Sequence, residues 1–391
     1  MIIDEYLKFT SCNSAPKSFH TWSILSMISA AVGKKLWVKC NYFNAYPNMY
    51  MVLVSLPGVG KKSTSISLAY ETLKQAELET KFSFDSLTPQ ALMIALHDAY
   101  GVEDMGGGKL HSSSPLTVIA DELVSLLSSG PSMVEFLTNV FSVNKYEYKT
   151  KNMGECIIKN PCLNIATCAT TDTFSARIIR EGIAGGFMSR AIIVYDDNVK
   201  PVSPFCMPSE EQEISRLRMV ERFREMSKLY GEVTWTPKAV QHFEQWFGEE
   251  MVVGAAKAVN KEFSSRKDLH VIKTSMLVAA SELRRVINED DFNYAVHLLK
   301  QVEHNMKFLY IGAGANKFAD LYIKILAAIH EVGDCEYSQL LQYFMKDIEQ
   351  SDFDNQIKTL ETVGYIKRFI ADKKETIMIT NKGKEMFSRY V

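Results

Sequence analysis

The sequence predicts an α/β protein built on a parallel sheet, continued by a helical region and closed by a small helix-and-hairpin domain. Short, wholly apolar runs at residues 51–55, 116–120, 163–169 and 191–195 read as strands buried on both faces, the usual condition in parallel sheets. From residue 209 to about 309 the apolar spacing is helical throughout. Residues 317–391 then read as three helices (320–332, 337–345, 351–363) and a hairpin (365–370 with 376–380 around 371–375), the element order of a winged helix.

Taken in order, residues 1–48 read as helices and a strand over 35–40, a helical and extended preface to the core. The first sheet strand, 51–55, runs into a glycine turn and a helix over 65–77. Thr88-Pro89 is a helix-entry signal for 87–100. Residues 101–114, with Gly106-Gly107-Gly108 and three serines, read as a mobile surface loop. A helix is expected over 132–143, and alternation over 146–158 around Asn152-Met153-Gly154 signals a hairpin. Pro201, Pro204 and Pro208 mark a boundary, so residues 49–200 form the expected core and 209–311 a helical lid. In that lid Thr236-Pro237 starts one helix and the acidic run 288–291 another, while the glycine-rich residues 312–316 read as a hinge before the winged helix.

Composition narrows the function classes. The 391 residues are 47% hydrophobic and 23% charged, ordinary for a globular protein, with a net charge of -2 that excludes a global polycation. Any nucleic-acid contact must therefore come from local patches or from an assembled ring. Seven scattered cysteines without a C-x-x-C pair read as buried hydrophobes in a reducing compartment, and the eight histidines lack metal-ligand spacing. Asp4 and Glu5 stand where a secretion signal would be basic and apolar, and residues 22–32 are too short to span a bilayer. The expectation is a cytoplasmic protein with no membrane partner.

Chemistry concentrates at "MVLVSLPGVGKKSTSI", residues 51–66. A buried strand, a glycine turn and a helix N-terminus, in that order, make a phosphate cradle of inward-facing N–H groups. Two registers are open. Either Pro57-Gly58-Val59-Gly60-Lys61 is the core, Lys61 reaches the β- and γ-phosphates of ATP, and Ser63 or Thr64 holds Mg²⁺; or Lys62 is the phosphate lysine and Ser63 the magnesium ligand. "LTVIADEL" places Asp121 and Glu122 at a strand's C-terminal end, where Asp121 suits the ordering of Mg²⁺ and Glu122 the polarisation of an attacking water. A third strand ends in Thr167, Thr170 and Thr171, of which Thr170 is the expected sensor of the γ-phosphate. Arg190, behind Gly185-Gly186 and before an apolar strand, suits a finger entering a neighbouring subunit's nucleotide site. The hairpin carries Lys145, Lys149, Lys151 and Lys159 interleaved with Tyr146 and Tyr148, a pattern for phosphate contact and base stacking.

This order of Pro57-Gly58-x-Gly60-Lys61, Asp121-Glu122, a threonine-tipped strand and "SRAIIVYDD" resembles the core of AAA+ ATPases. Ser189-Arg190 before a strand is similar to the arginine-finger strand of minichromosome-maintenance helicases. The stretch "SFHTWSILSMISAAVGKKLWV" ahead of "YPNMYMVLVS" resembles P-loop replicative helicases encoded by phages and plasmids, and the likeness covers about residues 15–300. It implies an ATP-driven DNA helicase, a hexamer on single-stranded or forked DNA, working with other replication proteins in the host cytoplasm. It also implies that Arg266 or Lys273 in the lid is a second phosphate sensor, and that the hairpin with Tyr148, Lys149 and Lys151 grips DNA in the pore. Lys62 departs from the usual loop and keeps a second reading open, an ATP-gated initiator or loader that assembles on DNA without unwinding. The candidate recognition helix of the winged helix, 351–363, is expected to bury Phe353, Ile357, Leu360 and Val363 and to face solvent with Asp352, Asp354 and Glu361 against a single Lys358, so the domain suits a protein-docking role as well as DNA contact through Lys367, Arg368, Lys373 and Lys374 on its wing.

Overall fold

The computed structural model describes residues 1–84, 88–150, 154–175, 185–250, 261–313, 319–345, 348–371 and 374–387. The chain divides into two compact units, Met1–Tyr310 and Ile311–Val391. The first unit is a mixed α/β body organised on five parallel strands: β1 (Tyr50–Ser55), β2 (Phe82–Phe84), β3 (Leu110–Ala120), β4 (Pro161–Thr170) and β5 (Ala191–Tyr195), in the order β5-β1-β4-β3-β2. All six residues of β1 are buried, as a central strand with neighbours on each side requires.

The helices used below are α1 (Lys17–Val32), α2 (Lys62–Lys74), α3 (Pro131–Val140), α4 (Lys267–Ser281) and α5 (Glu289–Ala313). The parallel register Tyr50↔Ile165 puts these two side chains on one face of the sheet and Asn164 on the other. Tyr50 donates to the Leu137 carbonyl of α3 at 3.0 Å, whereas Ser29 Oγ of α1 lies 2.7 Å from Asn164 Oδ1. Helices therefore cover both faces. Asn164 Oδ1 also accepts the Met49 N–H at 2.9 Å, so one buried amide fixes α1, β4 and the entry to β1 together. The 16-residue α1 is buried on nearly every side, which its uniformly apolar and small-polar sequence permits.

The triple glycine departs from the expected mobile loop. Gly101–Asp104 pairs antiparallel with the start of β3, in register from Gly101↔Ser113 to Asp104↔Leu110. Gly106, Gly107 and Gly108 all take positive φ and close the turn between them, so the glycines make a hairpin where composition suggested slack. In the helical part, Asn288 Oδ1 accepts the Asp291 N–H and Asp291 Oδ2 accepts the Asn288 N–H, a reciprocal cap for α5. α5 runs through Gly312, and residues 314–316 of the expected hinge lie outside the described residues.

The second unit has its own core around Ile325, Ile329, Phe344, Phe353, Ile357 and Ile377. Its helices Ala319–Val332, Tyr337–Phe344 and Gln350–Thr362 precede the antiparallel pair Ile366–Ala371 and Lys374–Ile379, to which Cys335–Glu336 adds a third strand. Val363, expected in the core, is exposed because the helix ends one residue before it.

Asn164→Ala strands the Met49 N–H and removes the partner of Ser29, and should cost about 3 kcal/mol. Denaturant titration should show a clearly lower midpoint for Asn164→Ala and only a small shift, about 1 kcal/mol, for Ser29→Ala.

Candidate functional site

The loop of residues 56–61 crosses from β1 to α2 at the C-terminal edge of the sheet. Pro57, Gly58 and Val59 form its exposed crest, with Gly58 at φ 73°. Gly60 is buried, and a Cβ there would strike the Ser55 side chain and lie 2.9 Å from the Phe19 ring. Lys61 adopts φ 48°, ψ 37°, the left-handed conformation in which glycine is the unstrained choice. That turn points Lys61 outward and makes Lys62 the first residue of α2. Lys62 Nζ folds back over the loop, 2.9 Å from Ser55 Oγ and 3.4 Å from the Ser55 carbonyl. Burial lowers the Lys62 pKa, partly opposed by the Cys168 thiol. Ser63 and Thr64 stand exposed in the first turn of α2.

Parallel registers bring further groups to this edge. Ser55 pairs with Thr170 and Ala120 with Thr167, so the segment following Ala120 reaches the sheet edge beside Cys168 and Thr170. Asp121 is exposed and Glu122 half-buried at the start of a short helix, Leu123–Leu126. Cys168, between them and Lys62, feels both: burial drives its thiol up to about 12, Lys62 opposing and Asp121 adding to the rise. With strands about 4.8 Å apart, Asp121 stands roughly 10 Å across the sheet from the loop. Thr170 caps the next turn, its Oγ accepting the Thr173 N–H at 3.2 Å. Thr167 is fully buried and faces the opposite side of the sheet. An exposed glycine turn at residues 57–59, an exposed hydroxyl at Ser63, an exposed Asp121 and a half-buried Glu122 are groups that suit a phosphate chain with a magnesium ion. Among the described residues no group of three or more His, Cys, Asp or Glu could hold a metal unaided.

The other candidate cations lie elsewhere. Arg190 precedes β5, whose Ala191 pairs with Tyr50, so it sits at the N-terminal edge of the sheet, roughly 17–20 Å along β1 from the loop. Its Nη1 donates to the Gly186 carbonyl at 2.7 Å, and its Nε is buried without a partner. Burial lowers its pKa, and the charge of Arg266 lowers it further. Lys273 is buried in the same quarter, donating to Asn48 O and Asn48 Oδ1 at 3.0 and 2.9 Å, with its Nζ 3.9 Å from the Phe141 ring centroid. Burial drops its pKa to about 7, helped by Arg266, Lys34 and Arg190. Arg266 and Lys273 thus accompany Arg190 and not Lys62. His270, one helical turn from each, lies 3.1 Å from the Ser189 carbonyl and against Phe263, and burial drops its pKa to about 3.

The hairpin pairs Lys145–Thr150 with Gly154–Lys159, including Lys149↔Glu155. Tyr148 packs partly buried on the core and Tyr146 meets Phe136 edge-on, so both rings lean inward. Lys151 lies outside the described residues. On the C-terminal hairpin Arg368 is held by Glu361 and Glu375, and Lys374 by Glu336, leaving Lys367 exposed; Lys373 lies outside the described residues.

Sequence reading missed a cleft of about 850 Å³ between the first turns of α1, the end of β5 and one face of α5. It is lined by Lys17, Ser18, Asp196, Tyr294, His297 and His304 among others. It adjoins the loop, since Asp196 N–H bonds Val54 O, Ser18 Oγ donates to Asp196 at 2.6 Å, and Phe19 closes on Gly60. The available signal was Tyr294, His297, Gln301 and His304 at spacings of three, four and three along one helix face.

In comparisons with known proteins, the chain matches no family profile and no curated protein. The fold is that of a mixed α/β protein with a parallel sheet, an architecture consistent with nucleotide-binding folds. No helix among the described residues is long and apolar enough to cross a membrane.

His20, buried beside Tyr6, also has its pKa dropped by burial, to about 4. Both histidines fold neutral with values below the unfolded one near 6.5, so the unfolded chain takes up protons first as pH falls. Their stabilising effect is complete well above pH 6.5 and is lost progressively as pH falls, down to about 4 for His20 and about 3 for His270. Unfolding free energy should fall by about 2 kcal/mol per pH unit near pH 6, and His270→Phe should remove about half of that slope.

Proposed function

We propose that this chain is an ATPase of the AAA+ kind, acting as a ring on single-stranded or forked DNA as a helicase, with a helical lid after the sheet and a winged helix at its end. The observation that carries this reading is the separation of two sets of groups by the sheet. Lys62, Ser63, Asp121, Glu122 and Thr170 stand at one edge, and Arg190 with Arg266 stands at the other.

In this reading Lys62 binds the β- and γ-phosphates, because its amine and not that of Lys61 lies over the loop. Lys61 takes the left-handed place that a glycine fills in the usual pattern. Ser63 and Asp121 would hold Mg²⁺, which supplies charge neutralisation for the triphosphate. Glu122 accepts a proton from the attacking water, and Thr170 positions that water. The cleft between α1, β5 and α5 takes the base and ribose, placing α5 where lid movement and nucleotide occupancy are coupled. Arg190 is too far from its own loop to act there, and that distance favours action on a neighbouring subunit, with Arg266 beside it. A small ring of copies supplies this contact; a monomeric kinase has no use for it.

The initiator or loader reading keeps the same nucleotide site. It is favoured by the winged-helix cations Arg368 and Lys374, which are engaged by carboxylates and not held out for a phosphate backbone.

Lys62→Ala should abolish binding of a fluorescent ATP analogue, while Lys61→Ala should keep it within a few-fold. Glu122→Gln should bind ATP normally and hydrolyse it about 10²–10⁴ times more slowly. Hydrolysis by the wild type should rise on adding single-stranded DNA. Binding lost in Lys61→Ala but kept in Lys62→Ala would reverse the lysine assignment, and turnover indifferent to DNA would move the reading to the loader.

A further inference from the structure

We propose that the hairpin formed by Leu36–Cys40 and Phe43–Ala45 is a second contact for single-stranded DNA, with Tyr42 and Phe43 as a stacking platform. The hairpin is in register from Val38↔Ala45 to Cys40↔Phe43, so residues 41 and 42 make a tight turn. Tyr42 in the turn is 93% exposed and Phe43 at the start of the second strand 56%, although both are large aromatic residues. A groove of about 380 Å³ opens beneath them, lined by Lys39, Tyr42, Phe43, Asn44, Tyr46 and Asn144 among others. No Asp, Glu, Leu, Ile or Val lines it.

The floor of this groove is fixed. Lys34 Nζ lies 4.4 Å above the Tyr46 ring centroid and donates to Val143 O at 3.1 Å and Asn144 Oδ1 at 3.2 Å. Lys39 is exposed at the rim. Asp268, on the first turn of α4, is the carboxylate whose charge reaches Cys40, and it does not line the groove.

This chemistry selects its occupant. Aromatic faces accept any unstacked base, asparagine amides meet base edges, and the exposed Lys39 at the rim meets phosphate, whereas a duplex keeps its bases stacked and out of reach. A second copy of the chain would call for a broad apolar surface of about 800 Å² per partner, and the groove has no aliphatic lining to contribute to one. Asn144 immediately precedes the strand Lys145–Thr150, which puts the groove beside the start of that hairpin.

The inference rests on the proposed function only in taking DNA as the partner. Its test is fluorescence anisotropy of a labelled oligo-deoxythymidylate of roughly twenty nucleotides with the full chain, alongside photo-crosslinking of a bromodeoxyuridine oligonucleotide mapped by mass spectrometry. Tyr42→Ala/Phe43→Ala should bind about tenfold or more weakly, and Tyr42→Trp/Phe43→Trp should retain wild-type affinity, because it keeps the stacking faces. Crosslinks should fall on Tyr42 or Phe43. Binding of ATP analogue by each variant checks that the fold is intact. Wild-type DNA affinity in the alanine pair, or crosslinks elsewhere, would overturn this site while leaving the motor reading standing. A change of oligomer mass in the alanine pair without crosslinks here would assign the hairpin to self-association and overturn the inference. A wild type that binds no oligonucleotide overturns both.

Discussion

Parallel strand direction is the constraint on which the rest of this molecule depends. Because β1, β3, β4 and β5 all point the same way, whatever follows them gathers at one edge and whatever precedes them gathers at the other. The glycine loop, the acids after β3 and the threonine after β4 become neighbours without being close in sequence. By the same rule Arg190, before β5, and Asn48, before β1, share the far edge. Asn164 holds this alignment by joining α1 to β4 and to the entry of β1 through one buried amide.

Burial shapes the charge at each edge. Lys62 is half-buried, satisfied by Ser55, and its ammonium is made less comfortable by desolvation. An anion in the loop would restore what burial removes. The opposite edge has Arg190, Arg266 and Lys273 within electrostatic reach of one another, and the neutral groups around them, the Asn48 amide, the Phe141 ring and the Gly186 carbonyl, carry no compensating charge. Such a cluster is costly in an isolated chain, and an anion brought beside it would offset that cost.

Much of this was legible in the sequence. The apolar runs of β1, β4 and β5, the Thr88 cap and the acidic entry to α5 need only local chemistry, and each lies within a few residues of its expected place. The loop was legible as a loop, but the different backbone conformations and directions of Lys61 and Lys62 were not, since they turn on the positive φ at Lys61. The triple glycine misled because composition does not distinguish a slack segment from a turn whose flanks find a sheet edge to pair with. The placement of Arg266 and Lys273 depends on how α4 packs against the sheet, a long-range fact that no spacing encodes. Val363 shows the smaller form of the same limit, as its burial turned on where one helix stops.

The most direct test of the proposed division of labour between the two edges is subunit mixing. Lys62→Ala and Arg190→Ala would each be measured for ATP hydrolysis alone and then as an equimolar, re-equilibrated mixture. If one subunit's loop is completed by another's arginine, the mixture regains turnover that neither variant has, at interfaces joining an intact loop to an intact Arg190. If the mixture shows only the sum of the separate rates, or if Arg190→Ala alone keeps the wild-type rate, the two edges do not meet across subunits and the account fails at its centre.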